Sequence, residues 1–252
     1  MSILLTQFKK HLTHLIFPTF CIRCHRPEKI ICDDCLKTIK PLSIQLCPLC
    51  EKTVVMNGEV CRPCRQRFRP AIDNLLVASD YKNKLLAKSV HLLKYKFIRD
   101  LAPPLSQILT ISLNKFKLPT PDFILPIPLH PRRLRWRGFN QAELLSQGVS
   151  INLLPGLTIP ILNDLIIRQK HTPAQKNIKN YKARQENLKN AFQINSEFDW
   201  LLNNLPKQNL TGKNILIIDD ITTTGATILN FAKELKRLHP KSISAIVLGR
   251  QS

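Results

Sequence analysis

Residues 215 to 227 read Ile-Leu-Ile-Ile-Asp-Asp-Ile-Thr-Thr-Thr-Gly-Ala-Thr, an aliphatic run that ends in two carboxylates and passes at once into a hydroxyl-rich turn. The run Ile215 to Ile218 is apolar on both faces, which predicts a central strand of a parallel sheet. Ala226 to Leu238 repeats apolar residues at helical spacing (Ile228, Phe231, Ala232, Leu235, Leu238) and predicts a helix. Asp219 and Asp220 then stand at a strand's carboxyl end, where open α/β sheets bind their ligands. Thr222, Thr223, Thr224 and Thr227 offer hydroxyl donors, Gly225 permits a tight turn, and a helix beginning at Ala226 presents free N–H groups to an anion. A carboxylate pair repels phosphate, so it is expected to face groups that donate to it. Ribose hydroxyls do so, and the stretch as a whole predicts a site for a phosphorylated sugar.

Two other phosphate motifs fail. The Gly-Lys pair of the chain is Gly212-Lys213, and the residue five before Gly212 is Lys207, so there is no Walker A loop. The seven glycines, at 58, 138, 148, 156, 212, 225 and 249, cannot form a GxGxxG dinucleotide fingerprint. Beyond Arg69-Pro70 the pattern alternates between strands (75–78, 123–127, 215–218, 243–248) and helices (84–96, 103–115, 140–151, 173–190, 226–238). That alternation predicts an α/β domain over 69–252, a parallel sheet covered by helices, with the loops after its strands on one edge.

After the strand at 123–127 comes Pro-Leu-His-Pro-Arg-Arg-Leu-Arg-Trp-Arg-Gly-Phe-Asn-Gln, residues 128 to 141. On a loop at the ligand edge, Arg132, Arg133, Arg135 and Arg137 can pair with pyrophosphate oxygens, and Trp136 or Phe139 can stack on a base. A second basic stretch runs from Arg168 to Lys189, with Thr172-Pro173 suited to start a helix.

The eight cysteines fall between 21 and 64 as four CxxC pairs: Cys21/Cys24, Cys32/Cys35, Cys47/Cys50 and Cys61/Cys64. Each CxxC turn aims two thiolates at one tetrahedral ion, so four turns suit two structural zinc sites, each held by four cysteines. Sequential pairing, 21/24/32/35 and 47/50/61/64, is preferred because each gap closes a short ribbon loop, with interleaved pairing the alternative. A module of 21–68 has too little core to fold without metal.

The chain of 252 residues is 44% apolar, enough for one α/β domain and an appendage. Its formal charge is +21, which points to a partner rich in phosphates, single-stranded nucleic acid among them. Lys9, Lys10, His11 and His14 interrupt the apolar residues of the first twenty positions, so no signal-peptide core forms. An amphipathic helix over 1–20 and a cytoplasmic location are expected.

Residues 215–227 resemble the signature that binds 5-phosphoribosyl-1-pyrophosphate (PRPP) in type I phosphoribosyltransferases. The resemblance implies that Asp219 and Asp220 hold the ribose 2′- and 3′-hydroxyls, with Thr222 to Thr227 around the 5′-phosphate. Relatives of the hypoxanthine type carry a further Asp where this chain has Thr223, so their carboxylate base is missing. Arg137 to Gln141 (RGFNQ), then Arg168, Thr172, Gln175, Arg184, Asn187, Ala191 and Phe192, then 219–227, resemble in the same order the ComF family of competence proteins, which also carries an N-terminal CxxC module. By that resemblance Arg133, Arg137, Gly138, Phe139 and Asn140 belong to the pyrophosphate loop, and Arg168, Thr172, Gln175, Arg184 and Asn187 to a mobile cover. Asp219, Asp220 and Arg137 become the catalytic residues, Mg²⁺ accompanies PRPP, and the protein is expected to support uptake of single-stranded DNA with a helicase-like partner. A PRPP-sensing adaptor without turnover, and a phosphoribosyltransferase of nucleotide metabolism, are the alternatives. Residues 195–213 look longer than the family's usual connection.

Overall fold

The computed structural model describes residues 19–169, 191–198, 200 and 209–251. The helix expected at 173–190, nearly all of the one expected at 1–20, and positions 199 and 201–208 of the long connection lie outside the described residues. The chain divides between Lys40 and Pro41 into two compact units, so the dividing line falls inside the cysteine-rich segment rather than at its end.

In the first unit, the turn from Cys21 closes with His25 N–H donating to the Cys21 carbonyl (2.9 Å), and a short helix, α1 (Asp33–Leu36), starts directly after Cys32. The second unit opens with the same pattern. Glu51 N–H donates to the Cys47 carbonyl (2.9 Å), β1 (Gln45–Leu46) pairs antiparallel with β2 (Val54–Val55), and α2 (Arg62–Phe68) starts directly after Cys61. His25 and Glu51, each directly after a CxxC, both adopt positive φ (61° and 55°), so the two cysteine ribbons repeat one local design.

The rest of the second unit runs β3 (Asn74–Ser79), α3 (Lys84–Tyr95), α4 (Ala102–Lys115), β4 (Phe123–Pro126), α5 (Pro131–Arg137), α6 (Gln141–Asn152), β5 (Ile166–Arg168), β6 (Phe192–Ile194), β7 (Asn214–Thr222), α7 (Ala226–Leu235) and β8 (Ser242–Arg250). Four strands form a parallel sheet in the order β3-β8-β7-β4, with Leu75 beside Ala245, Ala245 beside Ile217 and Ile217 beside Leu125. The central strands β7 and β8 are buried almost throughout because both faces are covered, and aliphatic residues at successive positions are what such strands require. Ile215, Ile217, Ala245 and Val247 share a core with Phe231, Ala232 and Leu235 of α7, while α4 and α6 pack on each other and on the strands.

The second cysteine ribbon is built into this unit. Leu75 N–H donates to the Gly58 carbonyl (2.8 Å), and the Gln45 side-chain amide pairs with both the N–H and the C=O of Val77. Residues 41–60 thereby cover the outer edge of β3, which would otherwise expose unpaired backbone groups. Cys47, Val60, Cys61 and Cys64 lie in the same core as Leu75, Ile217 and Phe231.

Four details differ from the sequence reading. The stretch 128–141 is not an open loop: seven residues of it form α5, capped by the His130 side chain accepting from Arg132 N–H. The acids do not end their strand, because β7 continues to Thr222 while Asp219, Ile221 and Thr222 keep register with Val247, Gly249 and Arg250. The helix expected to reach Leu238 becomes a 3₁₀ turn from Lys236. The antiparallel pair β5/β6 was not anticipated, since each strand is only three residues long.

Candidate sugar-phosphate site and cysteine centres

Asp219 and Asp220 are successive residues of a strand, and their carboxyl groups lie close enough to hydrogen-bond to each other. Both are buried. The Asp220 carboxylate meets Lys94 of α3 with Nζ and Oδ2 2.6 Å apart, and Asp219 Oδ1 accepts from the Asp220 N–H at 2.8 Å. Burial raises the proton affinity of both, but at Asp220 the ammonium of Lys94 outweighs it and holds that carboxyl below its ordinary range. At Asp219 burial, reinforced by the charge on Asp220, pushes the carboxyl well above its ordinary range. The pair thus carries one firmly ionised acid and one that readily holds a proton. Together they are suited to hydroxyl ligands that both donate and accept.

Beyond the acids, the Thr222 hydroxyl accepts from Gly225 N–H (3.0 Å) and closes the turn. Gly225 takes φ +74° as the N-cap of α7, a conformation that costs an L side chain strain. No side chain caps α7, so the first amides of the helix are available to an anion. Thr224 Oγ1 is buried without a hydrogen-bond partner among the described residues, a deficit that a ligand oxygen would meet. Ala226 is buried in the first turn, and Thr223 and Thr227 flank the loop, half-buried.

The arginine stretch splits into two roles. Arg137 is buried, its guanidinium held by the side chain of Gln141, and its field is felt by both acids. Burial lowers its pKa and the charge on Asp220 restores part of the loss. Gly138 ends α5, and Asn140 caps α6 by accepting from Ala142 N–H (3.1 Å) while donating to the Ile127 carbonyl (3.0 Å). Phe139 is buried beneath the Arg99 guanidinium, 4.9 Å from ring centre to Cζ, so it cannot stack on a base as the sequence allowed. Trp136 remains exposed. Arg132 and Arg135 stand exposed on α5, while Arg133 is half-buried and its charge acts on Arg137 and Arg168.

Arg168 ends β5 opposite Phe192, lies 5.5 Å from that ring's centre, and is pushed down to about 10 by burial and by Arg133, against the pull of Asp219. Asp219, Asp220, Lys94, Arg133, Arg137 and Arg168 therefore act on one another electrostatically. Thr172, Gln175, Arg184 and Asn187 lie outside the described residues.

Sequence reasoning missed Lys94 and Arg250. Lys94 sat unremarked on the helix expected at 84–96. Nothing in the local sequence sets it apart from Lys84 and Lys88 of the same helix. Arg250 pairs with Glu51 at 2.6 Å and sits in register with Thr222, tying the second cysteine turn to the end of β7.

The cysteines assemble as sequential pairing requires. Cys21, Cys24, Cys32 and Cys35 form one cluster and Cys47, Cys50, Cys61 and Cys64 another, with all sulfurs of a cluster within 4.8 Å of one another. A tetrahedral zinc with bonds of about 2.3 Å separates its sulfurs by about 3.8 Å. Cys24 and Cys32 are 3.5 Å apart and Cys50 and Cys61 3.9 Å. Cys32 N–H and Cys61 N–H point at Cys21 Sγ and Cys47 Sγ, donors that favour thiolate. Without a cation, burial and neighbouring thiols push Cys35 and Cys64 up to about 12, whereas with one all four can ionise. The donor sets fit two zinc ions.

Residues 144–252 match the phosphoribosyl transferase domain. The chain is 30% identical to Competence protein F of Haemophilus influenzae over 240 residues, 91% of this chain and 96% of that protein. It is 30% identical over 231 residues to the DNA utilization protein YhgH of Escherichia coli K12 (88% and 93% covered). It is 28% identical over 237 residues to Competence protein ComFC of Bacillus subtilis (89% and 86% covered). The architecture and the acid-loop site define a phosphoribosyltransferase-type α/β protein with cysteine ribbons. The chain belongs to the ComF family of competence proteins.

Proposed function

We propose that this protein binds PRPP at the end of β7 and supports natural transformation by handling incoming single-stranded DNA. The observation that carries the ligand is the join of a buried acid pair to an uncapped helix N-terminus through the Thr222–Gly225 turn. Asp219 and Asp220 take the ribose hydroxyls, and Thr222, Thr223, Thr224, Gly225, Ala226 and Thr227 surround the 5′-phosphate. Arg133, Arg137 and Arg168 neutralise the diphosphate. Mg²⁺ carried on the diphosphate supplies further charge neutralisation to the leaving group. The DNA role follows the names of the relatives and a charge of +21.

PRPP with Mg²⁺ should raise the melting temperature, since a ligand confined to the native state contributes about 2.7 kcal/mol at a hundredfold excess over its Kd. Asp219→Asn with Asp220→Asn should remove that shift. A double variant that still responds would place the ribose elsewhere. Pyrophosphate release on addition of candidate acceptors separates a transferase from a sensor. The sensor reading draws on Thr223, which stands where hypoxanthine-type enzymes have a carboxylate base. For the nucleic acid, affinity should fall by about 0.7 log units per log unit of salt for every phosphate neutralised. A salt-independent affinity would overturn the electrostatic account.

A further inference from the structure

Beside the acid pair the surface carries an aromatic cluster that the PRPP reading leaves unused. Tyr95 closes α3, Phe97 follows it in the turn, and Trp136 comes from α5; they are 43%, 39% and 58% exposed. The rings touch, with centres 5.1 Å apart for Phe97 and Trp136, edge to face, and 6.4 Å for Tyr95 and Trp136, while His91 extends the row 4.9 Å from Tyr95. Three large rings drawn from two elements and left in water are unfavourable as they stand. Phe97 also holds a left-handed backbone at φ +59°, a conformation bulky residues avoid and one that accumulates at binding surfaces.

The chemistry around the rings decides the occupant. Residues 84–99 and 128–139 carry nine Lys or Arg and no Asp or Glu. Lys96, Arg99, Arg132 and Arg135 are exposed around the cluster. An apolar partner would not call for that cationic rim, whereas aromatic faces within a field of cations match a strand whose bases are unpaired and whose backbone is anionic. The position matters too: Lys94, next to Tyr95, reaches Asp220 at 2.6 Å, so the end of α3 that carries Tyr95 borders the sugar-phosphate site.

We propose that Tyr95, Phe97 and Trp136 form a stacking platform for unpaired bases of single-stranded DNA, with Lys96, Arg99, Arg132 and Arg135 holding the flanking phosphates. The proposal rests on the reading that the protein handles single strands and adds where and how it does so. It places the strand near the PRPP site, so the bound sugar phosphate and the strand are neighbours on the protein.

Trp136→Ala tests this directly, because the exposed ring can be removed without opening the core. Binding of a labelled oligothymidylate should weaken roughly tenfold, the loss of one base stack. Binding of an abasic deoxyribose-phosphate strand of the same length should not change. Trp136→Phe should restore most of the oligothymidylate affinity. Since Trp200 is buried, quenching of the exposed indole by oligothymidylate but not by the abasic strand reads the same contact. Equal affinity of Trp136→Ala and wild type for oligothymidylate would overturn the platform, as would equal weakening on both strands. An unchanged oligothymidylate affinity with loss of a protein partner would mark a protein-docking face instead. If wild type binds neither strand, the single-strand reading falls and the platform with it. The thermal shift with PRPP should persist in Trp136→Ala, keeping the two readings apart.

Discussion

Lys94 is the residue on which the electrostatics of the acid pair turns. It lies largely buried against Asp220, so removing it leaves a carboxylate with neither water nor counter-charge. Lys94→Met should cost about 3 kcal/mol at neutral pH by chemical denaturation, the usual penalty for breaking a buried pair. The loss should shrink in acid as Asp220 takes a proton. Asp219 works in the opposite sense. Its folded-state pKa is raised by burial and by Asp220, so between about pH 3.9 and that raised value the native chain holds a proton the unfolded chain has released. Its contribution is fully present below about pH 3.9 and lost as pH rises through the folded value. Asp220, with a lowered pKa, contributes above about pH 3.9 and loses that contribution as pH falls through its folded value. Denaturation midpoints followed from about pH 4 to about pH 8 should therefore fall for wild type relative to Asp219→Asn. Parallel curves would show that Asp219 titrates normally.

Among the elements, two turns hold the site in place and differ in how they would fail. A Cβ on Gly225 would meet Leu75, the Pro48 carbonyl and Leu229 at 3.8 to 4.0 Å, ordinary contacts, so only the positive φ opposes Ala. Gly225→Ala should cost about 1 kcal/mol and reduce the thermal shift with PRPP by disturbing the start of α7. At Gly58 the φ is +68° and a Cβ would lie 2.4 Å from the Leu75 carbonyl oxygen, so strain and overlap add. Gly58→Ala should cost about 3 kcal/mol by prising the second ribbon from β3. Equal losses at the two glycines would mean that the ribbon yields without disturbing the sheet.

At the scale of the molecule, the two cysteine centres differ in what depends on them. Metal analysis should return close to two zinc ions per chain, one for each cluster of four sulfurs. Cys24→Ser, in the first unit, should release one ion and leave the melting of the sheet unit unchanged. Cys61→Ser should release the other and lower the melting temperature of the sheet unit, because Cys47, Cys61 and Cys64 belong to its core. Unfolding of both variants alike, or of neither, would show that the centres are equivalent in their structural weight. Among the described residues no helix is long and apolar enough to cross a membrane.

Sequence alone determined what rests on local chemistry. Aliphatic residues at successive positions require strands covered on both faces, and Ile215–Ile218 and Ile243–Leu248 became β7 and β8. The Thr-Thr-Thr-Gly turn before an apolar helical period marks an uncapped N-terminus. Four CxxC turns announced two four-sulfur centres and favoured sequential pairing, with ribbon gaps of seven and ten residues, and the structure decided for it over interleaved pairing. What only the tertiary structure decided depends on long-range packing. RGFNQ reads as a basic loop, yet its Phe is buried under Arg99 of an earlier turn, and its Arg faces acids on a strand much later in the chain. Lys94 carries no local signal of its role, since it is one of three lysines on an amphipathic helix; only the tertiary fold brings the end of α3 to Asp220 of β7. The second ribbon is separate in sequence and inseparable in space, because an exposed sheet edge takes whatever backbone can pair with it.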